Sequence, residues 1–248
     1  MIDPGRATLI EAAAALARGE LTSEALTRSS LERAHRLNPV LNCFLRIEDD
    51  AALAAARRAD AARAAGHPLG VLHGVPIAVK DMFYDPARET SSGSEIRRGF
   101  HGAATATALA RLKAAGAIVL GALNMTEFAL GPTGHNSFYG ACHNPWNPEH
   151  IAGGSSSGSG AAVAARIAFG TLGSDTGGSI RLPAAANGIL GIKATYGRVP
   201  RTGAMPLSWS IDHVGPLART AADRRFHAVE EEVARHAEPE AAYARVEL

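Results

Sequence analysis

Three features of this sequence carry the residue types of a reaction centre. One is the serine–glycine cluster Gly153-Gly154-Ser155-Ser156-Ser157-Gly158-Ser159-Gly160. A second is Gly173-Ser174-Asp175-Thr176-Gly177-Gly178-Ser179-Ile180-Arg181, and the third is Lys80, closing the apolar run Gly74-Val75-Pro76-Ile77-Ala78-Val79. A serine hydroxyl is a weak nucleophile until a neighbouring base takes its proton. Lysine can be that base once burial or nearby positive potential lowers its pKa. The apolar residues before Lys80 supply a desolvating setting. Glycine pairs let backbone N–H groups approach a ligand, and both clusters read as opening helices, where unpaired N–H groups gather. Such a place can hold an anion or a developing oxyanion.

Other chemistries fit the clusters less well. A phosphate-binding loop needs a Lys-Ser/Thr after its glycines, and a dinucleotide fingerprint needs a third glycine that Gly158-Ser159-Gly160-Ala161-Ala162-Val163 lacks. Gly154-Ser155-Ser156-Ser157-Gly158 fits a nucleophile elbow around Ser156, with Asp175 and His213 following in the required order. That motif needs a strand directly before it, whereas Asn144-Pro145-Trp146-Asn147-Pro148-Glu149-His150 reads as a turn-rich loop. Flexible Gly/Ser turns are the ordinary explanation of one such cluster. Two clusters at opposite ends of one helix-plus-strand unit, with a lysine ending an apolar strand, are harder to explain that way.

The elements around them follow from pattern. Leu9 to about Gly19, a segment starting at Thr22-Ser23-Glu24, and Glu48 to Ala65 read as helices, the last alanine-rich and closed by Gly66. Gly74 to Asp81 and Ala117 to Gly121 read as strands on either side of a helix over Thr105–Ala115, which suggests a βαβ-type α/β architecture. Gly131 to Gly160 is a long Gly/Pro/Ser/Asn-rich loop of the kind that carries function. Ser156 to Phe169 reads as a helix, and Thr171 to Ser174 and Gly188 to Ala194 as strands. Residues 1–66 form an amino-terminal helical segment, 67–223 the core, and 224–248 a charged tail with Phe226, Val229 and Val233 on one helical face.

Composition narrows the function classes. The 248 residues are 46% hydrophobic, and 25 basic against 24 acidic side chains leave a net charge of +1. That balance argues against a nucleic-acid groove or an anionic-membrane surface. Two cysteines cannot build a disulfide scaffold, and no apolar run approaches a membrane span or a signal peptide, so a cytoplasmic setting is expected. The ten histidines show no paired-ligand spacing, so no metal and no cofactor is expected.

The two clusters resemble the amidase signature family. Gly74 to Asp81, Gly191-Ile192-Lys193-Ala194-Thr195-Tyr196-Gly197-Arg198-Val199 and Leu207-Ser208-Trp209-Ser210-Ile211-Asp212-His213-Val214-Gly215-Pro216 extend the likeness from about Leu69 to Asp223. Ser155 follows Lys80 by 75 residues and Ser179 follows Ser155 by 24, the separations found in that family. The resemblance implies a mixed β-sheet flanked by helices on both faces. It implies hydrolysis of a carboxylic amide to acid and ammonia or amine through an acyl-enzyme, with Ser179 as nucleophile, Ser155 as bridging serine behind a cis Gly154–Ser155 bond, and Lys80 as base. The amides of Thr176, Gly177, Gly178 and Ser179 would form the oxyanion hole. Asp175 and Arg181 would brace the loop as an ion pair. Ser156 and Ser174 read as turn-stabilising hydroxyls, Lys193 as a solvated strand-end lysine and His213 as a loop brace. The partner expected is a small-molecule amide. Because the family's enzymes are longer, the carboxy-terminal part of the fold is expected to be missing, leaving an open site and a tendency to self-associate. Two alternatives remain open: the glutamine-hydrolysing subunit of a tRNA-dependent amidotransferase, acting with partner subunits, and a truncated non-catalytic interaction module.

Overall fold

A computed structural model of the chain describes residues 5–224. The charged tail beyond Arg224, with Phe226, Val229 and Val233, lies outside the described residues. Three helices open the chain where the pattern places them. Helix α1 (Leu9–Arg18) starts at a Thr8–Glu11 capping box and ends on Gly19 in the left-handed region. Helix α2 (Ser23–Leu41) starts on the Thr22 side chain, and α3 (Asp49–Ala64) ends two residues before Gly66. Between α2 and α3 lies strand β1 (Phe44–Ile47), which the helical reading of this region does not anticipate.

The remaining elements are β2 (Pro76–Lys80), α4 (Thr107–Ala114), β3 (Ile118–Leu123), α5 (Ser157–Ala164), β4 (Gly170–Asp175), α6 (Arg181–Asn187), β5 (Leu190–Gly191) and β6 (His213–Ala218). They form one sheet in the order β1-β3-β2-β4-β6-β5. The three central strands run parallel, while β1 pairs antiparallel with β3, β6 with β4, and β5 with β6. The mixed α/β sheet expected from the sequence is thus observed.

Strand alternation shows that both faces are covered. Ile77, Val79 and Val119 pack in one hydrophobic layer with Leu9 and Leu16 of α1 and Leu109 and Leu112 of α4. Their neighbours Ala78, Ile118 and Leu120 pack in the other layer with Ala52 and Ala56 of α3 and Ala161 and Ala162 of α5. Strands buried on both faces read as continuous apolar runs, which is why β2 and β3 are legible in the sequence. Each Leu or Ile fully removed from water there contributes about 1.5–3 kcal/mol. Among the described residues, no helix is long and apolar enough to cross a membrane.

Parallel neighbours end at the same side of a sheet. Lys80 closes β2 and Asp175 closes β4, so the lysine and the second serine–glycine cluster emerge together at the carboxyl ends of adjacent strands. In open α/β sheets, ligand sites form at that end.

Candidate active site

Lys80 is fully buried, and its Nζ donates to Ser155 Oγ at 2.7 Å and to Ser174 Oγ at 2.8 Å. The three residues come from different parts of the chain: the end of β2, the loop entering α5, and β4. Burial lowers the pKa of Lys80 from 10.5 to about 7, against the opposing pull of Asp175 and Asp212. A lysine ammonium out of water loses its hydration, and two neutral hydroxyls restore little of it. The amine therefore gives up its proton near neutrality.

The strand end that carries Lys80 is held from below. The next residue, Asp81, is buried and accepts hydrogen bonds from Arg46 of β1 and from both the hydroxyl and the N–H of Ser91, the N–H at 3.0 Å. Burial pushes the Asp81 carboxyl up, an effect that Arg46 and Ser91 only partly oppose. Neither Arg46 nor Ser91 stands out in the sequence, because their common partner is set by the β1–β3 pairing.

Ser155 is fully buried and follows a cis Gly154–Ser155 peptide, as the resemblance implies. Its carbonyl accepts the Thr126 N–H at 3.2 Å. Glycine is required at 154 by close approach. A Cβ there would lie 2.7 Å from the Gly131 carbonyl oxygen, 2.8 Å from the Gly134 nitrogen and 2.9 Å from Thr126 Oγ1. The loop over 131–134 thus packs directly on the backbone that presents Ser155.

Ser156 joins the two clusters. Its N–H donates to the Ser179 carbonyl at 3.3 Å, its hydroxyl donates to the Ser174 carbonyl at 3.1 Å, and the same oxygen accepts the Ser174 N–H at 3.4 Å. This side chain is fully buried and engaged on both sides. The elbow reading around Ser156 fails on the same geometry. No strand leads directly into α5, Asp175 faces Arg181, and His213 Nδ1 meets the Ile211 carbonyl at 2.8 Å while its Nε2 meets Lys193 Nζ at 3.2 Å. Lys193 is therefore paired with His213 rather than simply solvated.

Asp175 organises the second cluster. Its carboxylate accepts the N–H groups of Gly178 (2.9 Å), Ile180 (3.1 Å) and Arg181 (3.3 Å) and a bidentate pair of bonds from the Arg181 guanidinium (3.0 and 2.9 Å). Burial pushes this carboxyl up, but Arg181 and the backbone amides outweigh it and hold the pKa below the usual value. The ion pair expected from the sequence is present, and it fixes the turn from 176 to 180. A second carboxylate, Asp212, accepts the Thr176 hydroxyl at 2.6 Å and the N–H groups of Leu207 and Ser208 at 2.9 Å each.

Ser179 sits on that turn with 9% of its surface exposed. Among the described residues its hydroxyl has no hydrogen-bond partner, and the N–H groups of Thr176, Gly177 and Ser179 donate to no acceptor. The Gly178 N–H, in contrast, is taken by Asp175. A largely buried hydroxyl, three unclaimed N–H groups beside it, and a buried amine that releases its proton near neutrality are groups that acyl transfer can use. The two cysteines do not compete as nucleophiles, since both are free and buried. Burial pushes the Cys43 thiol up to about 12 and Cys142 well above its ordinary value.

The role of Ser174 is the main addition to what the sequence implies. Its residue type and setting are those of a turn hydroxyl, yet its Oγ is the second acceptor of Lys80. Its place in β4, beside β2, puts it there, and only strand pairing reveals that neighbour.

Comparison with known proteins gives the family and the fold. The family described as Amidase matches residues 25–242, a span that runs past Asp223. A glutamyl-tRNA(Gln) amidotransferase subunit of Myxococcus xanthus is 49% identical over 216 residues, covering 87% of this chain and 44% of its own length. The peptide amidase of Stenotrophomonas maltophilia has the same fold at a TM-score of 0.86 and 36% identity, over 96% of this chain and 51% of its own. The corresponding glutamyl-tRNA(Gln) amidotransferase subunit of Thermotoga maritima superposes at a TM-score of 0.78 with 32% identity, over 93% of this chain and 47% of its own. The chain spans about half the length of these relatives.

Proposed function

This chain belongs to the amidase family, and we propose that it hydrolyses a carboxylic amide through an acyl-enzyme on Ser179. Neutral Lys80 takes the proton of Ser155, which takes that of Ser179. The Ser179 Oγ forms a bond to the amide carbon, whose oxygen becomes an oxyanion facing the N–H groups of Thr176, Gly177 and Ser179. Gly178 contributes backbone shape to this oxyanion hole rather than a donor, because its N–H already serves Asp175. The proton returns through Ser155 to the leaving nitrogen as the C–N bond breaks, and ammonia or an amine departs. Water then adds to the acyl carbon by the same proton route, releasing the acid and restoring Ser179. Asp175, Arg181 and Ser156 hold the turn in place.

The observation that carries this reading is the fully buried Lys80, with its pKa brought to about 7, 2.7 Å from Ser155. A positioned base of that pKa is half deprotonated at neutral pH, where general-base catalysis works best. A small carboxamide is the substrate of this proposal, in a cytoplasmic setting. The identity to two glutamyl-tRNA(Gln) amidotransferase subunits supports a second reading, in which the amide is glutamine and the chain works with partner subunits. The test of the common chemistry is labelling with a fluorophosphonate followed by peptide mapping. One adduct on Ser179 is expected. An adduct on Ser156, or no labelling at all, contradicts it, and the latter outcome favours a non-catalytic interaction module.

A further inference from the structure

Two carboxylates hold the turn from Thr176 to Ile180, and they hold different ends of it. Asp175 accepts the N–H groups of Gly178, Ile180 and Arg181, so it fixes the end that carries Ser179. None of those bonds reaches Thr176 or Gly177. Gly177 is exposed, and a Cβ there would meet nothing within 4 Å. The two leading residues of the turn, whose N–H groups are unclaimed among the described residues, thus border open space and gain no brace from Asp175.

Their brace comes from the neighbouring strand. Antiparallel pairing of β4 with β6 sets Asp175 opposite His213, and the same register carried one residue further brings Asp212 opposite Thr176. Residues directly opposite in such a pair have Cβ atoms about 4.5–5.5 Å apart, close enough for a hydroxyl to reach a carboxylate. The Thr176 hydroxyl donates to Asp212 Oδ1 at 2.6 Å, a short charge-assisted bond. Asp212 is itself fixed. Its Oδ2 accepts the N–H groups of Leu207 and Ser208 at 2.9 Å each, and its own N–H returns to the Ser208 carbonyl at 2.9 Å. Threonine is stiff at χ1, so a held hydroxyl restrains the two peptide planes that flank Thr176. Those planes carry the N–H groups of Thr176 and Gly177.

We propose that Asp212 is a positioning residue of the hydrolytic site, which acts through the Thr176 hydroxyl to aim the Thr176 and Gly177 N–H groups at the oxyanion. This role rests on the acyl-enzyme reading of Ser179. Donors held in place before the reaction stabilise developing charge without reorganising, and donors free to turn give up part of that benefit. The charge on Asp212 also reaches the base. With Asp175 it raises the Lys80 pKa against the larger lowering by burial, while Ser155 and Ser174 face the amine as neutral hydroxyls. Loss of the carboxylate therefore acts on two observables. Misaimed donors slow the reaction, and the missing charge moves its pH midpoint.

The rate of fluorophosphonate labelling of Ser179 in the whole chain, measured against pH, tests this. Thr176→Val keeps the side-chain shape and deletes the hydroxyl. It should slow labelling about 10–100-fold, less than outright loss of a donor, and leave the pH midpoint where the wild type has it. Thr176→Ser restores the hydroxyl and should recover most of what the valine loses. Asp212→Ala should slow labelling by a similar factor and also move the midpoint to lower pH. The double variant Thr176→Val/Asp212→Ala should be no slower than the slower single one, because both changes break one bond. Losses that multiply in the double variant, or a Thr176→Val protein that labels at the wild-type rate, overturn the proposal. If Asp212→Ala does not fold, the comparison of valine with serine at position 176 decides. A wild type that fails to label on Ser179 overturns the acyl-enzyme reading itself, whereas a labelled wild type with unaffected variants overturns only the role of Asp212.

Discussion

Replacing Lys80 with methionine is expected to abolish turnover and to flatten the dependence of stability on pH. Lys80 is fully buried, and its pKa lies at about 7 when folded against 10.5 when exposed. Between those values the unfolded chain binds a proton that the folded chain does not, so stability rises with pH across this window. The slope approaches about 1.36 kcal/mol per pH unit, which makes roughly 5 kcal/mol over the full span. From pH 7.5 to 9.5 the wild type should gain about 2–3 kcal/mol from this group. For a domain of this size that raises Tm by about 5–10 °C. The methionine variant loses two hydrogen bonds, but that loss is the same at both pH values and cancels from the comparison. Thermal unfolding of both proteins at pH 7.5 and 9.5 gives the difference. Parallel pH profiles would refute the reasoning, because they would mean that Lys80 titrates alike in the folded and unfolded chains.

Four further outcomes follow from the same geometry. Ser155→Ala should lower kcat for amide hydrolysis about 10²–10⁴-fold with KM little changed, since the proton path between Lys80 and Ser179 is cut. Ser174→Ala should reduce kcat about tenfold in steady-state assays, because Lys80 keeps Ser155 but loses its second acceptor. Asp175→Asn should destabilise the chain by about 1–3 kcal/mol in chemical denaturation, a value discounted because Arg181 is half exposed. It should also move the alkaline-rising limb of activity to lower pH, since a charge that raises the Lys80 pKa is removed. Gly154→Ala places a Cβ within 2.9 Å of three atoms of the 126–134 region, so it should cost several kcal/mol or yield insoluble protein on expression.

The sequence makes the central strands legible because they are buried on both faces: Ile77-Ala78-Val79 and Ile118-Val119-Leu120 have no polar side to confuse the pattern. Helices α1 and α2 announce themselves through Thr8, Gly19 and Thr22. Strand β1 is hidden because its four residues sit between two long helices, and β6 because its glycine and proline, Gly215 and Pro216, break the usual strand composition. At the site, Lys80 and the two serine–glycine clusters are readable from residue type and setting, while Ser155 and Ser179 are singled out within those clusters by the resemblance to the amidase signature family. What the sequence leaves open is set by contacts across strands. Ser174 reaches Lys80 because β4 lies beside β2, Arg46 reaches Asp81 because β1 closes on β3, and Gly178 loses its N–H to Asp175 because the turn folds back on its own carboxylate.

The central claim is that Lys80, acting as a neutral amine through Ser155, activates Ser179. The most direct measurement is the rate of fluorophosphonate labelling of Ser179 as a function of pH, for the wild type and for Lys80→Arg. The wild-type rate should rise about tenfold per pH unit below pH 7 and level off above it, as the amine deprotonates. The arginine variant should stay slow throughout, because its guanidinium holds its proton over the whole range. An arginine variant that labels at the wild-type rate, with the same pH profile, would contradict the account.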